Sequence, residues 1–342
     1  MKDIKKIIAK FKDVRIMVVG DLILDQYIRG EVDRVSPEAP VPIVWARERR
    51  YVPGGAANVA NNIVSLGGKA SLCAVTGDKN TLVAELLLRE LKAGKIDTAG
   101  IISERGRETT LKTRVIAGHQ QVVRVDWEHV HNISKETQNK LRAYITKNLK
   151  YFDAVIIEDY GKGLLGRGLT EAIIKEANNQ KKIVTVDPKE DNFDCYFKAT
   201  CITPNRREAQ NAVRFLKMKD ASNKFRIYKE ELTTDKDISR AGEAILGHLQ
   251  LESLLITMGE HGMWLFEKGR NRHIPTVAQE VFDVSGAGDT VIAALTMALS
   301  CGASKLEAAH IANFAAGIVV GKLGTAVTTQ KELLGRINIS RE

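Results

Sequence analysis

The hydrophobic positions of this chain fall into short apolar runs that alternate with longer amphipathic stretches. Arg15–Gly20 is rich in β-branched residues and ends in glycine, which is typical of a buried strand. Similar runs follow at residues 70–75, 154–157, 183–186, 201–203 and 254–257, and helical periodicity separates them at 82–92, 135–149, 169–178, 206–216 and 238–249. Because alternating strands and helices form parallel sheets covered on both faces, the pattern predicts a three-layer α/β/α domain with a mostly parallel sheet.

Two segments break this alternation. Residues 26–45 and 109–126 contain period-two stretches without helical periodicity, and Ala-Gly-His-Gln at 117–120 is typical of a hairpin turn. These segments predict a small antiparallel sheet that projects from a single domain spanning residues 1–342. A sheet of this size buries little by itself, so its apolar residues need a partner surface. We therefore expect a homodimer, with these valine and isoleucine side chains at its contact: Val41, Ile43, Val115 and Val123.

The composition limits the classes of function. With 44% hydrophobic and 27% charged residues, the chain has the composition of a soluble globular protein, and no apolar run reaches membrane-spanning length. The N-terminus has no apolar signal-peptide core, and the four cysteines show no metal-ligand spacing, so we expect reduced thiols and a cytoplasmic location. The net charge of +9 comes from dispersed basic residues, which anionic small molecules explain as well as a nucleic acid would. We expect neither a nucleic-acid nor a membrane partner.

A glycine-rich stretch at Gly286, Ala287 and Gly288 precedes an apolar, alanine-rich run at 291–299 that is typical of a helix. The first N–H groups of a helix have no intrahelical partner, and glycine lets an oxyanion approach them closely. Asp289 would stand in the first turn, where a carboxylate can accept a proton from a hydroxyl that attacks phosphorus. The same spacing fits an acid that complements the helix dipole, so this stretch leaves both interpretations open.

A second glycine-rich element, Pro53-Gly54-Gly55-Ala56-Ala57-Asn58, leads into a predicted helix at 57–66 that is closed by glycine. Asn58 and Asn62 recur four residues apart on one face of this helix. Asparagine offers both a donor and an acceptor, which suits sugar hydroxyls. The two asparagines could equally cap or solvate a short helix.

Together the two motifs resemble the two signatures of the ribokinase-like carbohydrate kinases, the PfkB family. The resemblance covers nearly the whole chain, from about residue 18 to about residue 328. It implies a ribokinase-like fold, transfer of the γ-phosphoryl group of ATP to a sugar hydroxyl with Mg²⁺, and a β lid that closes over the sugar. In many relatives the lid also pairs with a second subunit, which agrees with the expected homodimer.

The resemblance assigns roles on the nucleotide side. Asp289 matches the aspartate that deprotonates the acceptor hydroxyl, and the N–H groups before it match those that hold the transferring phosphoryl group. Asn205 and Glu208 match an Asn-x-x-Glu element that organises Mg²⁺, usually through water, although the spacing also fits a capping box. The family's nucleotide loop matches Thr257, Gly259 and Gly262, and its adenine-pocket asparagine matches Asn313.

A monovalent-cation site of many relatives matches Asp283 and Ser285. The intervening position holds Val284 instead of the commoner threonine, so the sequence leaves dependence on K⁺ open.

On the acceptor side, Asp25 matches an aspartate that binds sugar hydroxyls, and Gly54, Gly55 and Asn58 would complete that contact. A phosphorylated sugar would also need cations at its far end. We expect these from basic residues in the lid segments or at a strand end, with Lys162 and Arg124 foremost: Arg34, Lys112, Arg114, Arg124 and Lys162.

Three further stretches, at residues 20–25, 34–42 and 159–163, look like the heptose 7-phosphate kinases of bacterial ADP-heptose synthesis. That kinase is often fused to a nucleotidyltransferase. This chain stops after the kinase, so the resemblance implies a stand-alone enzyme that converts D-glycero-D-manno-heptose 7-phosphate to the 1,7-bisphosphate by phosphorylating O1. Members of this group commonly carry serine where Glu158 stands, which leaves the local substrate contact open.

Three alternatives remain. The first is another PfkB kinase that acts on a hexose phosphate, ribose or a nucleoside. The second is a Rossmann oxidoreductase, although Gly20-Asp21-Leu22 stands where a G-x-G-x-x-G motif would follow the first strand. The third is a non-catalytic sugar-binding protein, against which Asp289 and its preceding glycines argue, because binding alone needs no base.

Overall fold

Two sheets organise the protein in the computed structural model, which describes residues 4–219, 230–278 and 280–339. The strands of these ranges are β1 (Arg15–Gly20), β2 (Leu22–Val35), β3 (Pro42–Gly55), β4 (Lys69–Thr76), β5 (Asp97–Ser103), β6 (Thr110–Ala117), β7 (Gln120–Trp127), β8 (Ala154–Glu158), β9 (Ile183–Asp187), β10 (Cys201–Ile202), β11 (Ser253–Thr257), β12 (Met263–Glu267) and β13 (Arg270–Ile274). The helices are α1 (Ile4–Ala9), α2 (Ala56–Ser65), α3 (Leu82–Ala93), α4 (Lys135–Asn148), α5 (Arg167–Asn179), α6 (Arg206–Lys219), α7 (Asp235–His248), α8 (Ala287–Ser300), α9 (Lys305–Val319) and α10 (Gln330–Ile339).

The main sheet has nine strands in the order β13-β12-β11-β10-β9-β8-β1-β4-β5. Strands β11, β10, β9, β8, β1, β4 and β5 pair in parallel, and β12 and β13 add an antiparallel edge. All five residues of β8 are buried, which is why its sequence is continuously apolar up to Glu158. The carboxyl ends of β1, β8, β9, β10 and β11 therefore meet at one edge of the sheet, where ligands of open α/β sheets bind.

Helix α8 packs against both α2 and α9, and all three contact the sheet, while α4 packs against α5. In α8 every residue from Asp289 to Leu299 is buried, which suits its run of alanine and apolar side chains. The α/β class and the mostly parallel sheet predicted from the sequence are confirmed. Within the described ranges, no helix is long and apolar enough to cross a lipid bilayer.

The second sheet has the order β3-β2-β6-β7 and forms the lid. Its hairpins β2–β3 and β6–β7 are antiparallel as expected, whereas β2 and β6 pair in parallel. Strand β3 extends to Gly55, well beyond the predicted end at residue 45, because a polar stretch of arginines and Glu48 continues the pairing with β2. Exposed apolar side chains are concentrated on this sheet: Val32, Val35, Val41, Trp45, Val122, Val123, Val125 and Trp127.

The strands β5, β12 and β13 did not stand out in the sequence pattern. Strands β5 and β13 are the two edge strands of the main sheet and leave most of their residues partly or fully exposed, whereas β12 lies between β13 and β11. Because the residues of these two edge strands are mostly exposed, their sequences contain no continuous apolar run, and the hydrophobic pattern predicts them poorly.

Candidate active site

Three connected cavities lie along the carboxyl edge of the main sheet. The lid cavity, of about 340 Å³, lies between the lid and the strand ends, and Asp25, Lys162 and Asp289 line it. The central cavity, of about 250 Å³, is lined by Asp187, Glu208 and Asp289. The outer cavity, of about 560 Å³, is lined by apolar side chains and by the following sequence-predicted residues: Thr257, Gly259, Gly262, Ala287, Gly288 and Asn313.

The cavities share walls at the start of α8. Gly286 and Asp289 line both the lid and the central cavities, and Gly288 lines both the central and the outer cavities. A molecule that spans them therefore passes the N-terminus of a 14-residue helix, whose first N–H groups attract anions. Gly286 caps this helix at a φ of 77°, a left-handed conformation that favours glycine.

Asp289 is held from two sides. The Asn58 side-chain amide donates to Oδ2 at 2.5 Å, and the Tyr160 hydroxyl donates to Oδ1 at 3.0 Å. Burial raises the pKa of Asp289 to about 6, and the two hydrogen bonds partly oppose that rise. A carboxylate fixed in orientation, with a pKa close to neutrality, is suited to accept a proton from a bound hydroxyl.

Asn58 lies behind Asp289 rather than on a cavity wall. Its side chain is fully buried, and it is absent from the residues that line the lid cavity. Asn62 is also fully buried; it donates to the Asn58 carbonyl at 3.0 Å and accepts from the Thr290 hydroxyl at 2.9 Å. The face of α2 that was expected to meet sugar hydroxyls instead packs on α8, so these amides position the start of α8.

Asp25 and the two glycines before α2 meet in the lid cavity. A Cβ atom added at Gly54 would come within 3.0 Å of the Asp25 carboxylate, so this approach requires glycine. Gly55 has a φ of 58° and caps α2. The other carboxylate oxygen of Asp25 accepts a hydrogen bond from Arg114, whose guanidinium lies 5.4 Å from the Tyr27 ring centroid.

Five basic side chains line the lid cavity, and nearby acidic side chains form ion pairs with four of them. Glu128 bridges the lid and the main sheet, since it accepts from Lys162 at 2.7 Å and from Lys112 at 3.1 Å. Asp126 accepts from Lys112 at 2.9 Å and lies 3.0 Å from Arg124. The cations that line the cavity are Lys112, Arg114, Arg124, Lys162 and Lys189. Arg34 is exposed on β2 and does not line it.

The backbone of Lys162 is fixed by two buried residues that the sequence analysis did not identify. The Asp21 carboxylate accepts from the N–H groups of Tyr160 at 3.1 Å and of Lys162 at 3.0 Å. The Arg107 guanidinium donates to the Lys162 carbonyl, and also to the carbonyl of His131 at 3.0 Å. These contacts join residues far apart in sequence, so no local motif could show them.

Asn205 and Glu208 form the reciprocal capping box that their spacing allowed. Glu208 Oε2 accepts from the Asn205 N–H at 2.8 Å, and Asn205 Oδ1 accepts from the Glu208 N–H at 3.0 Å. Both residues also line the central cavity. The capping leaves Oε1 of Glu208 for other partners, and a carboxylate of this kind fits a water-mediated contact with Mg²⁺.

In the outer cavity, Gly259 and Gly262 adopt φ values of 58° and 82° around a short turn that follows β11. A Cβ atom at Gly262 would collide with the Ile274 carbonyl, so the turn requires glycine. Asn313 on α9 is buried and donates to the Pro275 carbonyl at 2.8 Å. Val291 of α8 adds apolar surface, so the cavity suits a flat ring bordered by polar groups.

The residues matched to a monovalent-cation site lie in the loop before α8. Asp283 accepts from the N–H groups of Ser285 at 2.9 Å and of Gly324 at 3.0 Å, so both carboxylate oxygens are engaged. Val284 between them is exposed. The loop is thus tied to residue 324, and Ser285 reaches the wall of the lid cavity.

Comparisons with known proteins agree with this geometry. The family model described as pfkB family carbohydrate kinase matches residues 14–332. The bifunctional protein HldE of Geotalea uraniireducens is 41% identical over 339 residues, which is 98% of this chain and 65% of that protein. The chain thus spans about 65% of the length of this relative.

Solved structures resemble the fold at lower sequence identity. A putative ribokinase from Agrobacterium tumefaciens superposes with a TM-score of 0.74 at 20% identity, covering 96% of this chain and 99% of that one. Phosphofructokinase-2 from Escherichia coli, in complex with potassium, superposes with a TM-score of 0.75 at 17% identity, covering 96% of this chain and 100% of that one.

Proposed function

This chain belongs to the pfkB family of carbohydrate kinases, and we propose that it phosphorylates D-glycero-D-manno-heptose 7-phosphate at O1 to give the 1,7-bisphosphate. It is a phosphotransferase that acts on a sugar hydroxyl. The observation that carries the narrower proposal is the set of five basic side chains that line the lid cavity. A phosphate group is an anion that can compete with the acidic partners of these cations, whereas an unphosphorylated sugar offers no such group.

The nucleotide is proposed to lie in the outer cavity, with its base near Asn313 and its phosphates along the turn at Thr257, Gly259 and Gly262. Its γ-phosphoryl group would reach the N–H groups at Gly286, Ala287 and Gly288. Mg²⁺, when bound with the nucleotide, would neutralise phosphate charge, and Glu208 would hold one of its waters. Asp283 and Ser285 are proposed to serve a K⁺ ion, a hypothesis prompted by the potassium complex of the phosphofructokinase-2 neighbour.

The acceptor is proposed to lie in the lid cavity, where Asp25 accepts hydrogen bonds from its hydroxyls. Lys162 and Arg124 would bind its phosphate. In doing so, they would leave their present partners, Glu128 and Asp126, and pair with the phosphate dianion instead. Asp289 takes the proton of the O1 hydroxyl as the oxygen bonds to the γ-phosphorus. The bond between that phosphorus and its bridging oxygen breaks at the same time, and ADP leaves.

The heptose assignment is supported by two observations. The stretches at 20–25, 34–42 and 159–163 resemble heptose 7-phosphate kinases, and a relative named as the bifunctional protein HldE matches 98% of the chain. Glu158 is the departure from that group; it is fully buried at the end of β8 and is not among the residues that line the central or the lid cavity.

We also propose that the chain acts in the cytoplasm as a homodimer joined through the lid. The exposed valines and tryptophans of the lid sheet support this contact, since clustered apolar surface is typical of a protein–protein interface. Light scattering at micromolar concentration should give twice the monomer mass of 37.8 kDa. Replacing Val123 by aspartate should lower that mass, and a purely monomeric native protein would refute the proposal.

The deciding experiment is an ADP-release assay with ATP and Mg²⁺ over heptose 7-phosphate, fructose 1-phosphate, fructose 6-phosphate and ribose. We expect a strong preference for heptose 7-phosphate in kcat/KM. The Asp289→Asn variant should fold and bind ATP but lose roughly a thousandfold or more in turnover, the scale on which catalytic groups act. Preference for another acceptor would overturn the heptose assignment, and normal turnover of Asp289→Asn would overturn the role of Asp289.

A further inference from the structure

The turn that follows β8 carries two side chains into the lid cavity. Tyr160 and Lys162 both line that cavity, and only Gly161 separates them along the chain. The Tyr160 hydroxyl donates to Asp289, the proposed base, at 3.0 Å. The Lys162 ammonium lies among the cations proposed to bind the acceptor's phosphate. This turn therefore links the base to the phosphate-binding cation over a short stretch of main chain.

Asp21, which directly follows β1, holds the turn through main-chain N–H groups. Its side chain is buried, and Oδ2 accepts from Tyr160 at 3.1 Å and from Lys162 at 3.0 Å. Its second oxygen, Oδ1, accepts from the N–H group of Leu164 at 3.4 Å. One carboxylate thus fixes the main chain of the turn at three points.

Asp21 is itself tied to the neighbouring elements. Its N–H group donates to the Glu158 carbonyl at 3.3 Å, and its carbonyl accepts from Ala56, the first residue of α2, at 3.0 Å. Burial raises the pKa of Asp21 to about 6, and the hydrogen bonds from the turn partly oppose that rise. At neutral pH the carboxylate is therefore mostly ionised, and its hydrogen bonds to the turn are charge-assisted.

Arg107 holds the same turn from another direction. Its guanidinium is buried and donates to the Lys162 carbonyl, as well as to the His131 carbonyl at 3.0 Å. Neither Asp21 nor Arg107 is among the residues that line the three cavities of the described chain. Both residues can therefore act on a ligand only through the turn that they position.

We propose that Asp21 is a positioning residue that fixes Lys162 relative to Asp289 and thereby selects acceptors by the separation between their phosphate and their reacting hydroxyl. An acceptor held by its phosphate at Lys162 presents its hydroxyl at a distance set by its carbon chain. Only one chain length brings that hydroxyl to Asp289, and a misplacement of about 1 Å costs about a hundredfold in rate. The inference rests on the phosphate subsite of the proposed function and deepens it, since it holds for whichever sugar phosphate is preferred.

The test compares acceptors of different length with ATP and Mg²⁺: ribose 5-phosphate, mannose 6-phosphate, heptose 7-phosphate and dephosphorylated heptose. The native protein should prefer one phosphorylated acceptor by about a hundredfold or more in kcat/KM. Asp21→Asn replaces one acceptor oxygen by an amide NH₂ group, which cannot accept from the turn. It should lower kcat for the preferred acceptor by about 10- to 100-fold with little change in KM, and lower the preference over the next acceptor by about tenfold or more. Turnover of dephosphorylated heptose should fall less, because Asn58 still holds Asp289.

Asp153→Asn is the matched control. The Asp153 carboxylate also accepts from a main-chain N–H group, that of Arg15 at 2.8 Å, but at the opposite end of β1. Its kinetics should match those of the native protein. If Asp21→Asn fails to fold, Arg107→Lys loosens the same turn through the Lys162 carbonyl and should relax the selectivity in the same way.

Four outcomes separate this inference from the proposed function. Unchanged length selectivity in a folded Asp21→Asn or Arg107→Lys variant would overturn the inference alone. An equal loss of turnover for all acceptors, dephosphorylated heptose included, would also overturn it, because it would show that Asp21 only supports the fold. A native protein that does not distinguish phosphorylated from dephosphorylated acceptors would refute the phosphate subsite and the inference with it. Preference for another length would refute only the heptose assignment, and the selectivity of Asp21→Asn would still decide the inference.

Discussion

The Asn58 side chain donates a hydrogen bond to Asp289 Oδ2 at 2.5 Å, across 231 positions of the sequence. This contact joins the two glycine-rich motifs into one structure, because each residue follows the glycines of its own motif at a helix start. Both side chains are buried. The first motif therefore acts on the second by orienting its carboxylate.

Replacing Asn58 by alanine should lower kcat by about 10- to 100-fold. A hydrogen bond to a charged group contributes about 1.5–3 kcal/mol, and 1.4 kcal/mol corresponds to a factor of ten in rate. The KM for ATP should change little, because Asn58 lies outside the outer cavity. Steady-state kinetics at saturating acceptor would measure the effect.

Asn61→Ala is the matched control, since Asn61 lies on the same helix and is only partly buried. It should retain nearly native turnover. A loss in Asn61→Ala equal to that in Asn58→Ala would show that the effect reflects the stability of α2 rather than the orientation of Asp289.

Replacing Lys162 by methionine should raise the KM for a phosphorylated acceptor by about 10- to 100-fold, because a charge-assisted hydrogen bond is lost. The backbone should stay in place, since Asp21 and Arg107 hold it through main-chain atoms. The KM for ATP should be unaffected. Parallel assays with the acceptor and its dephosphorylated form would locate the loss at the phosphate.

Lys140→Met provides the comparison for this experiment, because Lys140 is an exposed residue of α4 that pairs with Glu136. Its kinetics should match those of the native protein. An unchanged acceptor KM in Lys162→Met would remove Lys162 from the phosphate site.

The sequence predicts the elements that carry strong periodicity and the motifs that lie within one turn or helix start. It therefore found β1, β8 and α8 and the group around Asp289. It does not reveal Asp21 or Arg107, because each of them contacts main-chain atoms of Lys162, 141 and 55 positions away along the chain. It also misplaced the Asn58 side chain, because periodicity on α2 shows which residues share a face but not whether that face meets a cavity or another helix.

The four cysteines should be nearly inert in the folded protein. Cys73, Cys195 and Cys201 are buried, and burial raises the pKa of Cys201 to about 11 and of Cys195 to about 12. Burial also raises the pKa of the half-buried Cys301 from 9.0 to about 11. A higher thiol pKa leaves less of the reactive thiolate at a given pH. For a thiol whose pKa rises from 9.0 to about 11, the thiolate fraction near neutral pH falls about a hundredfold.

Alkylation followed by mass spectrometry should therefore modify the native protein about a hundredfold more slowly than the unfolded chain, with Cys301 reacting first. Denaturant should expose all four thiols. Rapid modification of Cys73 or Cys201 without denaturant would contradict this packing.

Gly242 on α7 should be intolerant of even one methyl group. A Cβ atom built there would lie within 3.0 Å of three ring atoms of Phe266, whose side chain is fully buried on β12. Alanine normally stabilises a helix by up to about 1 kcal/mol relative to glycine. Overpacking against an immobile ring costs about 1–3 kcal/mol, so Gly242→Ala should lower the free energy of unfolding.

Gly247 offers the opposite outcome on the same helix, because a Cβ atom there would meet nothing within 4 Å. Gly247→Ala should be neutral or slightly stabilising by urea unfolding, while Gly242→Ala shifts the midpoint to lower urea. Equal midpoints for the two variants would mean that the Phe266 ring can move, and that the core between α7 and β12 is less tightly packed than its burial indicates.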